Sequence, residues 1–317
     1  MLLDTPTLYY RAFFALPDSI TAPDGRPVNA VRGTLDFITH LVTHYRPDRL
    51  IACFDADWRP AFRVELLPSY KAHRVVEEVA GGTAEAAGAG ASSASVEEVP
   101  DTLTPQVQML LEVLAAFGIA DGWAPAFEAD DAIAAYTALH LAKDGGSVDV
   151  VTGDRDMFQL ISDADQVRVF NIARGVAKLE MLGDTELAAK YGVAGAQYAD
   201  FATLRGDASD GLPGVAGIGE KTASALLAEY GSLTGLLAAA EDATSAVKPA
   251  VRKRLEAAAD YLAVAPRVVR VRADAPVTDA ESTLPSTPAH PEQLEELAER
   301  YGLANPIKRL TKALSAA

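Results

Sequence analysis

Asp207 and Asp210 stand three residues apart, a spacing that lets two hard carboxylate oxygens face one cation across a turn. They open the stretch GDASDGLPGVAGIGEKTA, residues 206–223, in which a metal-holding half is fused to a phosphate-holding half. Gly211, Gly214, Gly217 and Gly219, with Pro213 among them, allow backbone N–H groups to turn outward and approach a phosphate closely. A helix beginning near Thr222 would add its positive end to that attraction, and Lys221 supplies a mobile charge beside it. An ordinary glycine-rich connection between helices would account for GxGxK alone. The fusion to DxxD is what argues for a site.

Other carboxylates follow apolar runs. Residues 1–3, 49–54 and 147–152 read as buried strands by their length and branched composition, and aspartates follow each: Asp4, then Asp55, then Asp154 and Asp156. Glu128, Asp130 and Asp131 crowd the start of a helical stretch, where capping and the helix dipole explain one or two acids but not three. These nine carboxylates, brought together without cations, would repel one another until several took up protons. Hard divalent ions remove that conflict. With no His or Cys beside them, Mg²⁺ or Mn²⁺ is favoured over zinc, and two ions about 4 Å apart suit in-line displacement at phosphorus by water.

The elements that must position these groups are legible from periodicity. Helical patterns at 31–45, 105–117 and 129–143 alternate with the strands, which predicts an α/β fold with a mainly parallel central sheet covered by helices on both faces. In such sheets ligands bind outside the carboxyl ends of the strands. Residues 58–74 are basic and aromatic: Arg59, Arg63, Lys71 and Arg74 can meet phosphates, and Tyr70 can stack on a base. A solvated helical face with one core tyrosine fits those residues as well. Residues 81–95, almost only Gly, Ala, Ser and Thr, read as a flexible loop. Toward the C-terminus we expect a basic helix at 251–262, a strand at 267–271 and a closing helix at 291–301.

Composition bounds the rest. A chain of 317 residues with 49% hydrophobic content can bury a large core, as one large or two moderate domains. Its formal charge of −16 argues superficially against nucleic acid, but a carboxylate site matched by divalent cations hides its charge, and the total does not locate the 28 Lys and Arg. Cys53 is the only cysteine, so no intramolecular disulfide can form, and its apolar neighbours predict a buried thiol in a reducing compartment. No apolar run approaches the ~18 residues of a membrane span, so no membrane partner and a cytoplasmic location are expected.

Together the segments LLDTPTLYYRAFFALP at 2–17, FDADWRPAFRVELLPSYKAHR at 54–74, FEADDAIA at 127–134, TGDRDMFQL at 152–160 and the 206–223 stretch resemble the 5′-nuclease (flap endonuclease) family. The likeness is greatest to stand-alone bacterial 5′-3′ exonucleases and to the N-terminal nuclease domain of bacterial DNA polymerase I. It covers the chain to about residue 230, in the family's order. The resemblance implies a metal-dependent nuclease core at 1–178, with an arch at 58–104, and a helical duplex-binding subdomain at 179–317 containing a helix-hairpin-helix-type motif. It implies that Asp4, Asp55, Glu128, Asp130, Asp131, Asp154, Asp156, Asp207 and Asp210 occupy metal-site positions. Asp4, Asp55, Lys71, Arg74, Asp130 and Asp154 would be catalytic. Arg63, Tyr70, Lys71, Arg74, Gly214, Gly217, Gly219, Lys221 and Thr222 would meet DNA, often with a K⁺ ion at the hairpin.

The implied activity is hydrolysis near a 5′ end or at the base of a 5′ flap, including RNA primers, in replication and repair. A PIN-type ribonuclease and a catalytically silent junction-binding protein are the alternatives. The duplex-gripping hairpin argues against the first, and the full set of carboxylates against the second. Three departures stand out: Thr5-Pro6 follows Asp4 where the family has glycine, the first strand is short, and the arch is lengthened by 81–95. No polymerase domain is expected in residues 247–317, so the chain is not expected to synthesise DNA.

Overall fold

A computed structural model of the chain describes residues 1–75, 99–143, 145–278 and 280–316. The loop expected at 81–95 lies outside them. At the centre is a sheet built from β1 (Leu2–Asp4), β2 (Ile51–Cys53), β3 (Ala120–Gly122), β4 (Val148–Thr152), β5 (Val167–Asn171) and β6 (Glu180–Leu182). Its order is β3-β2-β1-β4-β5-β6, parallel throughout except for β6, which runs antiparallel at one edge. Strand β1 lies between β2 and β4, so the connections leave it toward opposite halves of the sheet. A crevice opens at the carboxyl end of such a switch point.

Around the sheet are α1 (Thr5–Ala15), α2 (Asn29–Tyr45), α3 (Ala61–Leu66), α4 (Thr104–Phe117) and α5 (Ala129–Lys143). Alternation along the strands sends neighbours to opposite faces. Leu2, Ile51 and Val150 join one buried cluster with Ile133 and Tyr136 of α5. Leu3, Ala52 and Val151 join another with Leu8 of α1, Leu35 and Ile38 of α2, and Leu110 and Phe117 of α4. Both faces are therefore covered by helices, as the α/β reading requires.

The helical part of the chain comprises α6 (Asp184–Tyr191), α7 (Gly195–Arg205), α8 (Glu220–Tyr230), α9 (Leu233–Glu241), α10 (Pro249–Ala257) and α11 (Ala259–Val269). Tyr198, Phe201, Leu227, Leu236, Leu255 and Leu262 extend the α5-side cluster, so this part shares a continuous apolar core with one face of the sheet. The last helices, α12 (Pro291–Tyr301) and α13 (Ala304–Leu314), turn back to pack on α4 and α2. Their Leu294, Leu297, Ile307 and Leu310 belong to the other cluster. Among the described residues, no single helix is long and apolar enough to cross a membrane.

Two expectations are corrected. The strand expected at 267–271 is the end of α11, whose Leu262, Ala265, Val268 and Val269 make one buried helical face. The branched residues there resemble a strand locally, but helical spacing against the core decides. The basic helix expected at 251–262 is two helices, broken at Ala258. Strands β3, β5 and β6 were not foreseen from the sequence.

Because Leu310 is fully buried between α13 and the α2 layer, Leu310→Ala should destabilise the fold by about 2–5 kcal/mol. Urea denaturation checks this. A change below about 0.5 kcal/mol, the size of a surface substitution, would show that α13 is not part of the core.

Candidate active site

The carboxyl ends of three adjacent strands meet at one cleft. Asp4 ends β1, Asp55 follows β2, and Asp154 follows β4; the start of α5 adds Glu128 and Asp130. These five carboxylates line a cavity of about 580 Å³ together with Lys71 and Arg74. Asp4 also caps α1: its Oδ1 accepts from Thr7 N–H at 3.1 Å, and the Thr7 hydroxyl donates to Oδ2. Pro6 falls in the first turn, where its missing N–H is harmless, so Thr5-Pro6 starts a helix where the family's glycine would permit a looser turn. The Thr152 hydroxyl donates to Asp4 and accepts from Asp154 N–H, joining the ends of β1 and β4. Asp55 accepts from Ala129 N–H at 2.7 Å and fastens β2 to α5.

The remaining expected ligands divide into two groups. Asp156 stands next to Asp154, and its electrostatic neighbours include Asp207 and Asp210. Asp207 is held by Arg205 at 2.9 Å, by Ser209 N–H and by Arg155 at 3.6 Å. Asp210 meets Arg74 at 3.2 Å. Asp131 faces away from the cleft: it is 0% exposed, and Arg63 engages both of its oxygens at 2.6 and 2.7 Å. The structure therefore corrects the expectation for Asp131, whose lone pairs are spent on an internal ion pair.

Arg63 and Tyr70 are corrected in the same way, since they are only 2% and 4% exposed. Arg63 donates to Glu128 and Asp131, and the Tyr70 hydroxyl donates to Glu128 at 2.8 Å. Neither has surface left for DNA, because satisfying buried carboxylates outweighs what an exposed phosphate contact would supply. Lys71 reaches Glu128 from the cleft side, with its ammonium over the Tyr70 ring. Its backbone is left-handed at φ 49°, and its N–H donates to Asp210 O at 3.0 Å. Gly211 closes this joint at φ +71°; a Cβ there would lie 2.1 Å from Ser69 O. The loop bearing Asp207 and Asp210 is thus locked onto the segment bearing Lys71 and Arg74.

Electrostatics match the crowding. Burial raises the pKa of Asp4, Asp130 and Asp156 above the usual carboxylate range, and the neighbouring aspartates, Asp154 foremost, raise them further. Asp55, accessible but surrounded by protein at the cleft floor, is pushed up to about 7 by desolvation. Burial carries Asp210 to about 6 against the pull of Lys71. Desolvation disfavours the Lys71 charge, yet Glu128, Tyr70, Asp210 and Asp130 together outweigh it and raise that pKa, so Lys71 stays cationic.

Among the described residues, no three acids stand close enough to enclose a single ion. The donor set still fits hard cations. It offers oxygen only, it repels itself, and Asp156 Oδ1 is buried without a hydrogen-bond partner.

Residues 206–223 join α7 to α8 as a compact hairpin. Val215 and Ile218 plug into the core, with Val215 N–H on Leu204 O at 2.9 Å. Gly214 and Gly217 take positive φ of 67° and 79°, and Arg254 donates to the Gly217 carbonyl at 3.0 Å. Gly219 is exposed at the start of α8 with open space around it, and Lys221 is exposed beside it. Thr222 is half-buried in the first turn of α8.

Sequence reasoning missed the wall formed by α1. Thr7, Tyr10, Arg11 and Phe14 all line the cleft, and Phe14 is 73% exposed. Their i, i+3, i+4, i+7 spacing was the available signal. It also missed Thr152 and Gln159, which act through contacts that only the folded chain makes.

Two family models match the chain: "5′-3′ exonuclease, N-terminal resolvase-like domain" over residues 1–192 and "5′-3′ exonuclease, C-terminal SAM fold" over residues 193–292. The chain belongs to the 5′-3′ exonuclease family. It is 54% identical over 316 residues to a 5′-3′ exonuclease of Streptomyces coelicolor, covering 100% of both chains. It is 50% identical over 321 residues to one of Mycobacterium tuberculosis, covering 99% of this chain and 97% of the relative. In fold it is similar to the bacteriophage T5 flap endonuclease, solved as a pseudo-enzyme-product complex with DNA and metal ions. That match has a TM-score of 0.61 at 17% identity and covers 100% of this chain and 97% of the other.

The raised carboxylates of this exonuclease give a pH test. A carboxylate with a folded pKa near 7 binds its proton more tightly folded than unfolded, so its ionisation removes stability as pH rises from about 4 to about 7. Asp55→Asn keeps the acceptor for Ala129 N–H and lacks that loss. In EDTA the variant should be the more stable at pH 8, and the gap should close below about pH 4. Urea midpoints across this range are the check; a pH-independent gap would rule out the cause.

Proposed function

We propose that this chain is a structure-specific nuclease of the cytoplasm that hydrolyses DNA phosphodiesters near a 5′ end, a nick or the base of a 5′ flap. RNA-primed ends met in replication and repair fall within the same substrate class. The observation that carries this reading is the meeting of five carboxylates with Lys71 and Arg74 in one cleft at the sheet's switch point. Such a site attracts a phosphate and hard cations together, and the negative net charge is no obstacle to it.

Asp4, Asp55, Glu128, Asp130 and Asp154 are the residues to hold Mg²⁺ or Mn²⁺, with Asp156, Asp207 and Asp210 at a second, looser position. When bound, such ions lower the pKa of an attacking water and neutralise charge on the departing 3′ oxygen. Lys71 stays protonated at the cleft wall and draws in the scissile phosphate, and Arg74 extends that field toward Asp210. Thr7 and Thr152 hold Asp4 in one orientation. The hairpin at 214–221 grips duplex phosphates through backbone N–H groups and Lys221, in the manner of a helix-hairpin-helix motif. Arg254 already places a cation at the Gly217 carbonyl, so a K⁺ ion there would use the neighbouring carbonyls.

Cleavage of a 5′-labelled flap should be absent in EDTA and return with Mg²⁺ or Mn²⁺. Asp154→Ala should lower the single-turnover rate by several powers of ten with the fold intact, because removing one like charge relieves repulsion. Retention of more than about a tenth of the rate, a loss of only ~1.4 kcal/mol, would remove Asp154 from the ligand set.

Binding and cutting should separate. Gly219→Asp sets a negative charge in open space at the hairpin without backbone strain, so duplex affinity should fall about tenfold or more, as expected when one phosphate contact turns repulsive. Lys71→Ala should slow cleavage and leave duplex affinity nearly unchanged. Equal losses of affinity in the two variants would show that the two sites do not divide the work.

A further inference from the structure

Behind the cleft lies a buried ion cluster formed by Arg63, Glu128 and Asp131. We infer that Arg63 is a positioning residue for the cleft, clamping Asp131 and Glu128 so that Glu128 presents one fixed oxygen toward Lys71. The inference rests on the nuclease reading above and adds to it the device that aims one of its ligands.

Every donor of the Arg63 guanidinium is directed inward. Nε donates to Val268 O at 2.9 Å, Nη1 to Glu128 Oε2 at 2.7 Å and Asp131 Oδ2 at 2.6 Å, and Nη2 to Asp131 Oδ1 at 2.7 Å. Asp131 has nothing left for the cleft, since Arg272 N–H also donates to its Oδ1 at 2.8 Å. Glu128 is divided between two settings. Its Oε2 is fixed from behind by Arg63 and by the Tyr70 hydroxyl at 2.8 Å, while Oε1 meets Lys71 at the cleft wall. A flexible side chain is thereby held to one rotamer, with one oxygen delivered to the chemistry.

The clamp has its own support. Val268 O comes from the last turn of α11 and Arg272 N–H from the segment just beyond it, in the helical part of the chain. The same segment is bound by Gln159, whose amide donates to Val269 O at 3.1 Å and to Asp156 O at 2.8 Å and accepts from Val271 N–H at 3.1 Å. Residues 268–272 therefore brace both Glu128 and the turn that carries Asp156. A planar two-pronged donor is required at position 63, because a lysine offers only a point charge and cannot span both carboxylates.

The test compares wild type with Arg63→Gln and Arg63→Lys in three measurements: single-turnover cleavage of a 5′-flap DNA in Mg²⁺, affinity for that DNA in EDTA, and Mn²⁺ affinity of the DNA-free protein by calorimetry. Arg63→Gln should lose about 10–100-fold in rate and a similar factor in Mn²⁺ affinity, the usual cost of losing a group that orients a ligand. Its DNA affinity should stay within about twofold of wild type, and Arg63→Lys should restore only part of the loss. A folded Arg63→Gln protein with wild-type rate would overturn the inference. So would a loss of DNA affinity equal to the loss of rate, which would make Arg63 a DNA contact.

If Arg63→Gln does not fold, Asp131→Asn decides, since it keeps a neutral acceptor for Arg63 and for Arg272 N–H. A clamp partner should lose no more than about 10–100-fold in Mn²⁺ affinity, the cost of disturbing a group that orients a ligand, and less than Asp154→Asn loses. A loss equal to that of Asp154→Asn would make Asp131 a ligand and defeat the inference. Failure of the wild type to cut any 5′ end in Mg²⁺ or Mn²⁺ would count against the nuclease reading instead, and the Mn²⁺ titrations would still test the clamp.

Discussion

Mutual repulsion among carboxylates at the ends of adjacent parallel strands is the constraint that the rest of this structure answers. Neighbouring strands lie about 4.8 Å apart, so aspartates at three adjacent carboxyl ends are forced into one another's field. Burial strengthens that field and raises the pKa of Asp4, and still more those of Asp130 and Asp156. A site of this kind persists only if its surroundings supply compensating donors. Here they come from all sides: Thr7 and Thr152 on Asp4, Ala129 N–H on Asp55, Lys71 on Glu128, Arg74 on Asp210, and Arg205 on Asp207.

The positive charges do two kinds of work, separated by burial. Arg63 is enclosed and fully paired, so it can orient but cannot meet a substrate. Lys71 and Arg74 line the open cleft and keep access to it. This division accounts for a strongly acidic chain that binds polyanions. The carboxylates would gather hard cations, and the few basic side chains that matter are concentrated where a phosphate would arrive.

The two parts of the chain are coupled through named joints rather than by proximity alone. Gly211 lets the Asp207 and Asp210 loop approach Ser69 and Lys71 closely enough for backbone hydrogen bonding. The end of α11 supports Arg63 and Gln159 from behind. The hairpin that would hold a duplex and the cleft that would cut it are thus mounted on one continuous apolar core. A rigid mounting of this sort is what fixed geometry between a binding element and a reacting centre requires.

By itself the sequence determined the class of fold and the identity of the acidic residues. Strands ending in aspartate, helices at 3.6-residue spacing and the DxxD–glycine stretch are local patterns, set by backbone periodicity and turn chemistry, and they survive into the structure as β1, β2, β4, α2, α4 and α5. Strands β3 and β6 escaped notice because a three-residue edge strand is stabilised by its neighbours rather than by its own composition, whereas β5, five residues long and internal, carried a branched and aromatic run that was there to be read. Helix α11 reads locally as a strand at its end, and the core overrode that preference. The division of labour among like residues was decided only by tertiary structure. Nothing in the residue types separates Asp130 from Asp131 or Arg74 from Arg63; one of each pair lines the open cleft, and the other is closed inside a buried ion pair. Burial and partners set what a charged group can do, and both are properties of chain segments far apart in sequence.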